Sequence, residues 1–140
     1  MKKRGRKFGN VKVEIDGHTF DSHAEGARYL QLRAKLQRGE ITGLKIHPKF
    51  DLHGMNGKPL GITWSADFQY LGEGELGAGK LTIEDVKGVA TQLYKLKKAV
   101  FEAQSMGVKV TEIPAKDLAG DARRLKQSKA MGVPDHKLTA

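Results

Sequence analysis

The sequence predicts a mixed α/β fold with helices flanking a mixed central sheet. Three observations carry that prediction. Helical and extended periodicities follow one another in the order helix, three strands, helix, strand. Turn signals such as Asp16-Gly17 and Asn56-Gly57 join extended runs as hairpins. The chain has 140 residues of which 39% are hydrophobic, enough for one core but not two.

Residues 1–10 read as a basic flexible arm, Met1-Lys2-Lys3-Arg4-Gly5-Arg6-Lys7, with no apolar stretch after it of the kind a secretory signal needs. Val11 to Ile15 alternates apolar and polar, Asp16-Gly17 turns, and Thr19-Phe20 returns. Ser22 to Arg38 is the clearest helix, capped by Asp21 or Ser22 and ended by Gly39, with Tyr29, Leu32 and Leu36 at helical spacing. Three strands follow: Leu44 to Leu52, interrupted by Pro48; Gly61 to Tyr70; and Leu81 to Lys87, after a glycine-rich connection over 72–79. A second helix runs from Thr91 or Gln92 to Met106 with Leu93, Leu96, Val100 and Ala103 on one face, and Val108 to Ile113 forms a last strand. The expected organisation is an arm at 1–10, one domain at 11–114 and a basic tail at 115–140, helical where Arg123, Arg124, Lys126 and Lys129 recur.

Composition narrows the partner. Lys and Arg total 25 against 16 Asp and Glu, a net charge of +9 that favours a polyanion. No apolar run approaches a membrane span, and no basic amphipathic helix with a strong apolar face stands out, so nucleic acid is expected rather than a membrane. There are no cysteines, which excludes disulfides and thiolate metal sites, and a cytoplasmic setting is the simplest expectation.

The third strand carries the chemistry. Alternation puts Asp85 and Lys87 on one face of it and Glu84 on the other. Charges on an apolar strand are costly unless compensated, by an ion pair or by a metal beside the ammonium. If the second and third strands pair as a hairpin, Asp67 lies beside Asp85, and two close carboxylates repel unless a cation lies between them. Oxygen ligands without cysteine suit Mg²⁺ or Mn²⁺. Glu25 begins the buried stripe 25, 29, 32, 36 of the first helix; it reads as a further ligand or as the distal member of a capping box with the Ser22 amide.

These stretches resemble a known group. Phe20-Asp21-Ser22 with Glu25-Gly26-Ala27-Arg28-Tyr29, then Ala66-Asp67-Phe68, Glu84-Asp85-Val86-Lys87-Gly88 and Tyr94-Lys95-Leu96-Lys97-Lys98 resemble the PD-(D/E)XK nuclease superfamily, and within it small phage and prophage proteins. Phage junction-resolving endonucleases share the arrangement of Glu, Asp and acid-x-Lys. The resemblance implies a restriction-endonuclease-like α-β-β-β-α-β core and a Mg²⁺- or Mn²⁺-dependent DNA endonuclease, acting on branched DNA in the manner of a Holliday junction resolvase and then as a homodimer. It also implies a phage or prophage protein at work in a bacterial cytoplasm. By it Asp67 and Asp85 would bind the metal with the Val86 carbonyl as a further ligand, Lys87 would orient the attacking water and stabilise phosphate charge, and Glu25 would bind metal or its water. The sequence departs from the motif where Ala66 replaces Pro and Asp85 stands where Glu is common.

DNA-backbone contacts are expected from Lys2, Lys3, Arg4, Arg6 and Lys7 of the arm, and from Lys95 and Lys98 on the helix face away from the Leu93–Leu96–Val100 stripe; the bland reading of that face is plain solvation. The rival function is a non-catalytic nucleic-acid- or partner-binding module that keeps the fold. Two signals are set aside. Gly74 to Lys80 matches the start of a phosphate-binding loop, but Leu81 stands where Ser or Thr is needed and a strand follows instead of a helix. His47, His53 and Asn56 lack the spacing that would put two histidines on one helix face.

Overall fold

A computed structural model describes residues 11–72 and 79–140. The arm at 1–10 and the stretch 73–78, which holds most of the glycine-rich connection, lie outside the described residues. The architecture is mixed α/β, with a mixed sheet and, among the described residues, three α-helices. Contacts divide the chain into two compact units, residues 11–34 with 115–140, and residues 35–114.

In the first unit β1 (Val13–Ile15) and β2 (His18–Phe20) form an antiparallel hairpin. Asp16 (φ 53°) and Gly17 (φ 79°) both take left-handed conformations, the type I′ geometry that Asp-Gly favours. Helix α1 (His23–Gln37) starts where expected, with the Ser22 hydroxyl accepting from the Glu25 amide at 3.1 Å. Phe20 stacks on Tyr29 with ring centroids 5.0 Å apart. A β-carbon on Gly26 would stand 2.9 Å from side-chain carbons of both Leu125 and Val13, so the lack of a side chain there is what lets these elements close. Leu125 belongs to α3 (Ala119–Ala130), which follows a short 3-10 turn at Ala115–Leu118. Leu36, expected on the buried stripe of α1, is 41% exposed.

The second unit holds the four-stranded sheet, in the order β3 (Ile41–Ile46), β6 (Phe68–Gly72), β7 (Lys80–Lys87), β8 (Val110–Pro114). β3, β6 and β7 are antiparallel, whereas β8 returns parallel to β7 after helix α2 (Gln92–Gln104). A separate hairpin pairs β4 (Lys49–His53) with β5 (Pro59–Ser65).

Two runs expected as single strands, the first with an interruption at Pro48, each divide into two strands. The run from Leu44 to Leu52 divides at His47-Pro48, and the run from Gly61 to Tyr70 divides at Ala66-Asp67. Both breaks fall at one level, where the chain leaves one sheet for the other. The His47 amide donates to the Asp67 carbonyl at 2.9 Å and the Ala66 amide to the Pro48 carbonyl at 3.1 Å, so the two corners hold each other. Pro48 has no N–H for a ladder, and His47 turns left-handed (φ 51°) before it.

The core of this unit is Leu52, Trp64, Ala66, Ile83, Phe101 and Val110. Phe101 of α2 packs 4.7 Å from Phe50 and 4.8 Å from Trp64, ring centre to ring centre. α2 faces inward with Phe101, half-buried Tyr94 and Val100; of the expected stripe Val100 packs against the core, whereas Leu93 is 60% and Leu96 62% exposed. Among the described residues no helix is long and apolar enough to cross a membrane.

Candidate functional site

β7 positions the acidic pair. Ile83, Asp85 and Lys87 alternate onto the face that carries the Phe101 core, while Glu84 lies on the opposite face and accepts a hydrogen bond from the Tyr70 hydroxyl. Because β6 and β7 are antiparallel with Phe68 opposite Glu84, Asp67 at the corner before β6 comes level with Asp85. The hairpin assumed from sequence thus brings the two aspartates together.

Their contacts are reciprocal. The Asp67 amide donates to Asp85 Oδ1 at 3.0 Å, and also reaches the Glu84 carbonyl at 3.1 Å. The Val86 amide donates to Asp67 Oδ2 at 2.7 Å. Asp85 is only 1% exposed, and its second oxygen, Oδ2, is buried with no hydrogen-bond partner among the described residues. Burial first, and the charge of Asp67 second, push the Asp85 carboxyl up to about 7; Lys87, the Asp67 amide and the Tyr94 hydroxyl pull the other way. The Tyr94 hydroxyl donates to Glu112 Oε1 at 3.3 Å.

Cations and further oxygens surround this pair. Lys87 Nζ stands 4.0 Å from the Tyr94 ring centre, a cation–π contact that fixes the ammonium beside the site. Thr91 caps α2 through the Tyr94 amide at 3.1 Å, which holds the tyrosine at the start of the helix. Burial raises the Tyr94 hydroxyl far above its usual range, with Asp85 and Glu112 adding to it. Glu112 of β8 lies directly opposite Asp85 in the parallel ladder. Its 2.8 Å bond to Lys98 holds its carboxyl below the usual range.

Sequence reading missed Glu112 and Tyr94 as neighbours of Asp85. The parallel register of β7 and β8, set by long-range pairing, is what reveals Glu112. Lys98, assigned to an outward face, instead pairs with Glu112. Lys97 donates to the Thr63 carbonyl at 3.1 Å, and Lys95 is exposed. Lys2, Lys3, Arg4, Arg6 and Lys7 lie outside the described residues.

Glu25 belongs to the first unit. It is 8% exposed, and its Oε2 accepts from the Asp21 amide at 3.3 Å, one residue earlier than the capping box proper would place the donor. His47, set aside on spacing, lies beside Asp67: a ring nitrogen and an Asp67 carboxylate oxygen fall within 4.8 Å of each other.

Residues 5–118 match a family model described as "Protein of unknown function (DUF1064)". The chain belongs to the DUF1064 family. No curated protein and no solved structure matches it. In this DUF1064 chain the matched span takes in both aspartates, Lys87, His47, Tyr94 and Glu112.

The donor set fits a divalent cation. A buried carboxylate oxygen without a proton donor, next to a second carboxylate, is a site a hard cation satisfies and a water-excluding core does not.

Proposed function

We propose that the protein is a metal-dependent DNA endonuclease of the PD-(D/E)XK type, with Asp67, Asp85 and Lys87 as its hydrolytic centre. The single observation that carries this reading is the buried Asp85 carboxylate, whose Oδ1 accepts from the Asp67 amide and whose Oδ2 has no hydrogen-bond partner among the described residues, with Lys87 on the same strand face. The order α1, β3, β6, β7, α2, β8 supports a restriction-endonuclease-like core into which the β4–β5 hairpin is inserted.

A divalent cation held there supplies a nucleophile from water at neutral pH and offsets charge on the phosphoryl oxygens. The chain's own groups do the rest. Asp67 and Asp85 would hold the cation, with the Val86 carbonyl as a further ligand, and the amides of Asp67 and Val86 fix the carboxylates before substrate arrives. Lys87, kept in place by the Tyr94 ring, presents a fixed positive charge to the phosphate. The sequence resemblance adds Glu25 as a ligand of the metal or its water. The net charge of +9 supports a DNA substrate, engaged by the basic arm, Lys95 and Lys98. Branched DNA as the preferred substrate, action as a homodimer and a phage or prophage setting in a bacterial cytoplasm rest on the same resemblance.

One observation favours a second reading, a non-catalytic binding module: each aspartate caps a backbone amide, which is a sufficient structural role for Asp67. Cleavage assays separate the two. Labelled duplex, single-stranded and four-way-junction DNA are incubated with Mg²⁺, Mn²⁺ or chelator. The nuclease reading expects metal-dependent cutting that Asp67→Ala, Asp85→Ala and Lys87→Ala abolish while DNA binding survives. Tight binding with no cutting of any substrate favours the module. Full activity in Glu25→Gln, which preserves a cap but ligates poorly, confines Glu25 to capping.

A further inference from the structure

The His47 corner has a feature the acidic pair does not explain. His47 ends β3 in a left-handed conformation, and its amide is tied to the Asp67 carbonyl. That tie fixes the backbone of residue 47 against residue 67, and it leaves an imidazole nitrogen within 4.8 Å of an Asp67 carboxylate oxygen. Asp67 is in turn bonded through its amide to Asp85 Oδ1, and the other Asp85 oxygen is buried with no hydrogen-bond partner among the described residues. A nitrogen donor and a half-buried carboxylate therefore meet at the level where two strands change sheets, and that carboxylate's own backbone is tied to the buried Asp85.

We infer that His47 is a nitrogen ligand of the cation held by Asp67 and Asp85, and that it makes the site selective for a first-row transition ion over Mg²⁺. The inference rests on the nuclease reading above and deepens it. Mg²⁺ keeps oxygen ligands and water and gains little from imidazole. Mn²⁺, Fe²⁺ and Co²⁺ accept imidazole with carboxylates, with affinity rising along that series. His47 is exposed and Asp85 is buried, so the histidine would reach the cation from the solvent side. The break at His47-Pro48 then has a function beyond topology. A continuous strand would send residue 47 along the ladder of β3; the left-handed turn holds it at the corner with Asp67.

The test is metal binding, read without DNA. Calorimetric titration of MnCl₂ and of MgCl₂ into wild type, His47→Ala, His47→Gln and Asp85→Asn is combined with pulsed electron paramagnetic resonance of the Mn²⁺ complex. The expected result is ¹⁴N modulation of bound Mn²⁺ in wild type and none in His47→Ala or His47→Gln. Mn²⁺ affinity falls about tenfold or more in both histidine variants while Mg²⁺ affinity stays within about twofold, the pattern ligand softness predicts. Circular dichroism confirms that each variant is folded; the Gln variant stands in if Ala does not fold. Unchanged Mn²⁺ affinity and no ¹⁴N modulation in wild type, with binding still lost in Asp85→Asn, overturn the role of His47 and leave the carboxylate site standing. Absence of any Mn²⁺ or Mg²⁺ binding in wild type overturns both.

Discussion

Two aspartates, Asp16 and Asp85, sit in opposite environments, and the contrast bears on the proposal that Asp85 serves a metal site rather than the fold. Asp16, in the β1–β2 turn, is partly exposed and has two donors on one oxygen: the Tyr29 hydroxyl donates to its Oδ2 at 2.6 Å, and Arg33 pairs with the same oxygen at 2.9 Å. The Tyr29 bond above all, then Arg33, lowers its pKa against the opposing effects of burial and Asp135. The same pairing, added to burial, pushes the Tyr29 hydroxyl up to about 12. Asp85 is buried more deeply, has a second carboxylate as neighbour, and has one oxygen without a donor among the described residues. Its pKa moves the opposite way. A protein that needed only stability would treat Asp85 as it treats Asp16, or replace it with an apolar residue.

The largest expected effect breaks the comparison through activity. Asp67→Asn, Asp85→Asn and Lys87→Ala each lower the DNA cleavage rate by about 100- to 1,000-fold, the scale on which loss of a preorganised electrostatic group is felt. Asp16→Asn leaves the rate within about twofold, as substitutions away from a site do. Single-turnover cleavage of one labelled substrate measures all four.

The next effect is the pH dependence of stability in the metal-free protein, and the two aspartates carry opposite signs. Asp85 is raised, so the folded state holds a proton that the unfolded chain has released once pH exceeds 3.8; stability falls as pH rises from there to about 7. A displacement of that size corresponds to a loss on the order of 4 kcal/mol. Asp16 is lowered, so its contribution is present above its unfolded value of 3.8 and is lost as pH falls through its folded value. Urea melts of wild type between pH 3 and 8 in chelator, repeated on Asp85→Asn, isolate the first: the fall toward neutral pH disappears in the variant.

Smaller effects sharpen the fold side. Asp16→Ala orphans the Tyr29 hydroxyl and removes the carboxylate from Arg33, at a cost of about 1–3 kcal/mol in the same melts. The Arg33 bonds to the Asp135 and Leu138 carbonyls, at 2.9 and 2.6 Å, persist and limit the damage. Lys98→Ala breaks a partly exposed pair with Glu112 and costs only about 0.2–1 kcal/mol.

What was legible in the sequence divides along the same line. Local rules found the Asp16-Gly17 hairpin, the Ser22 cap, and the shared face of Asp85 and Lys87, because each depends on neighbours a few residues away. Pairing of β6 with β7, the one tertiary assumption made, brought Asp67 to Asp85. The breaks at His47-Pro48 and Ala66-Asp67 were not legible as changes of sheet, because the bonds that hold each corner come from the other corner about twenty residues away. Spacing along the chain therefore discarded His47, although space places it beside Asp67. The inward face of α2 was misjudged for a different reason. Leu93 and Leu96 look like core by periodicity, but the aromatic contacts of Phe101 with Phe50 and Trp64 orient the helix, and Tyr94 and Lys98 bury apolar stems while their polar ends reach Glu112.

The claim that Asp85 is kept for a cation and not for the fold is tested most directly by the unfolding free energy of Asp85→Asn beside wild type at pH 7.5, in chelator and in MnCl₂. The account predicts that the variant is the more stable protein in chelator and gains nothing from Mn²⁺, whereas wild type gains. A variant less stable than wild type in chelator, with Mn²⁺ stabilising both equally, would contradict it.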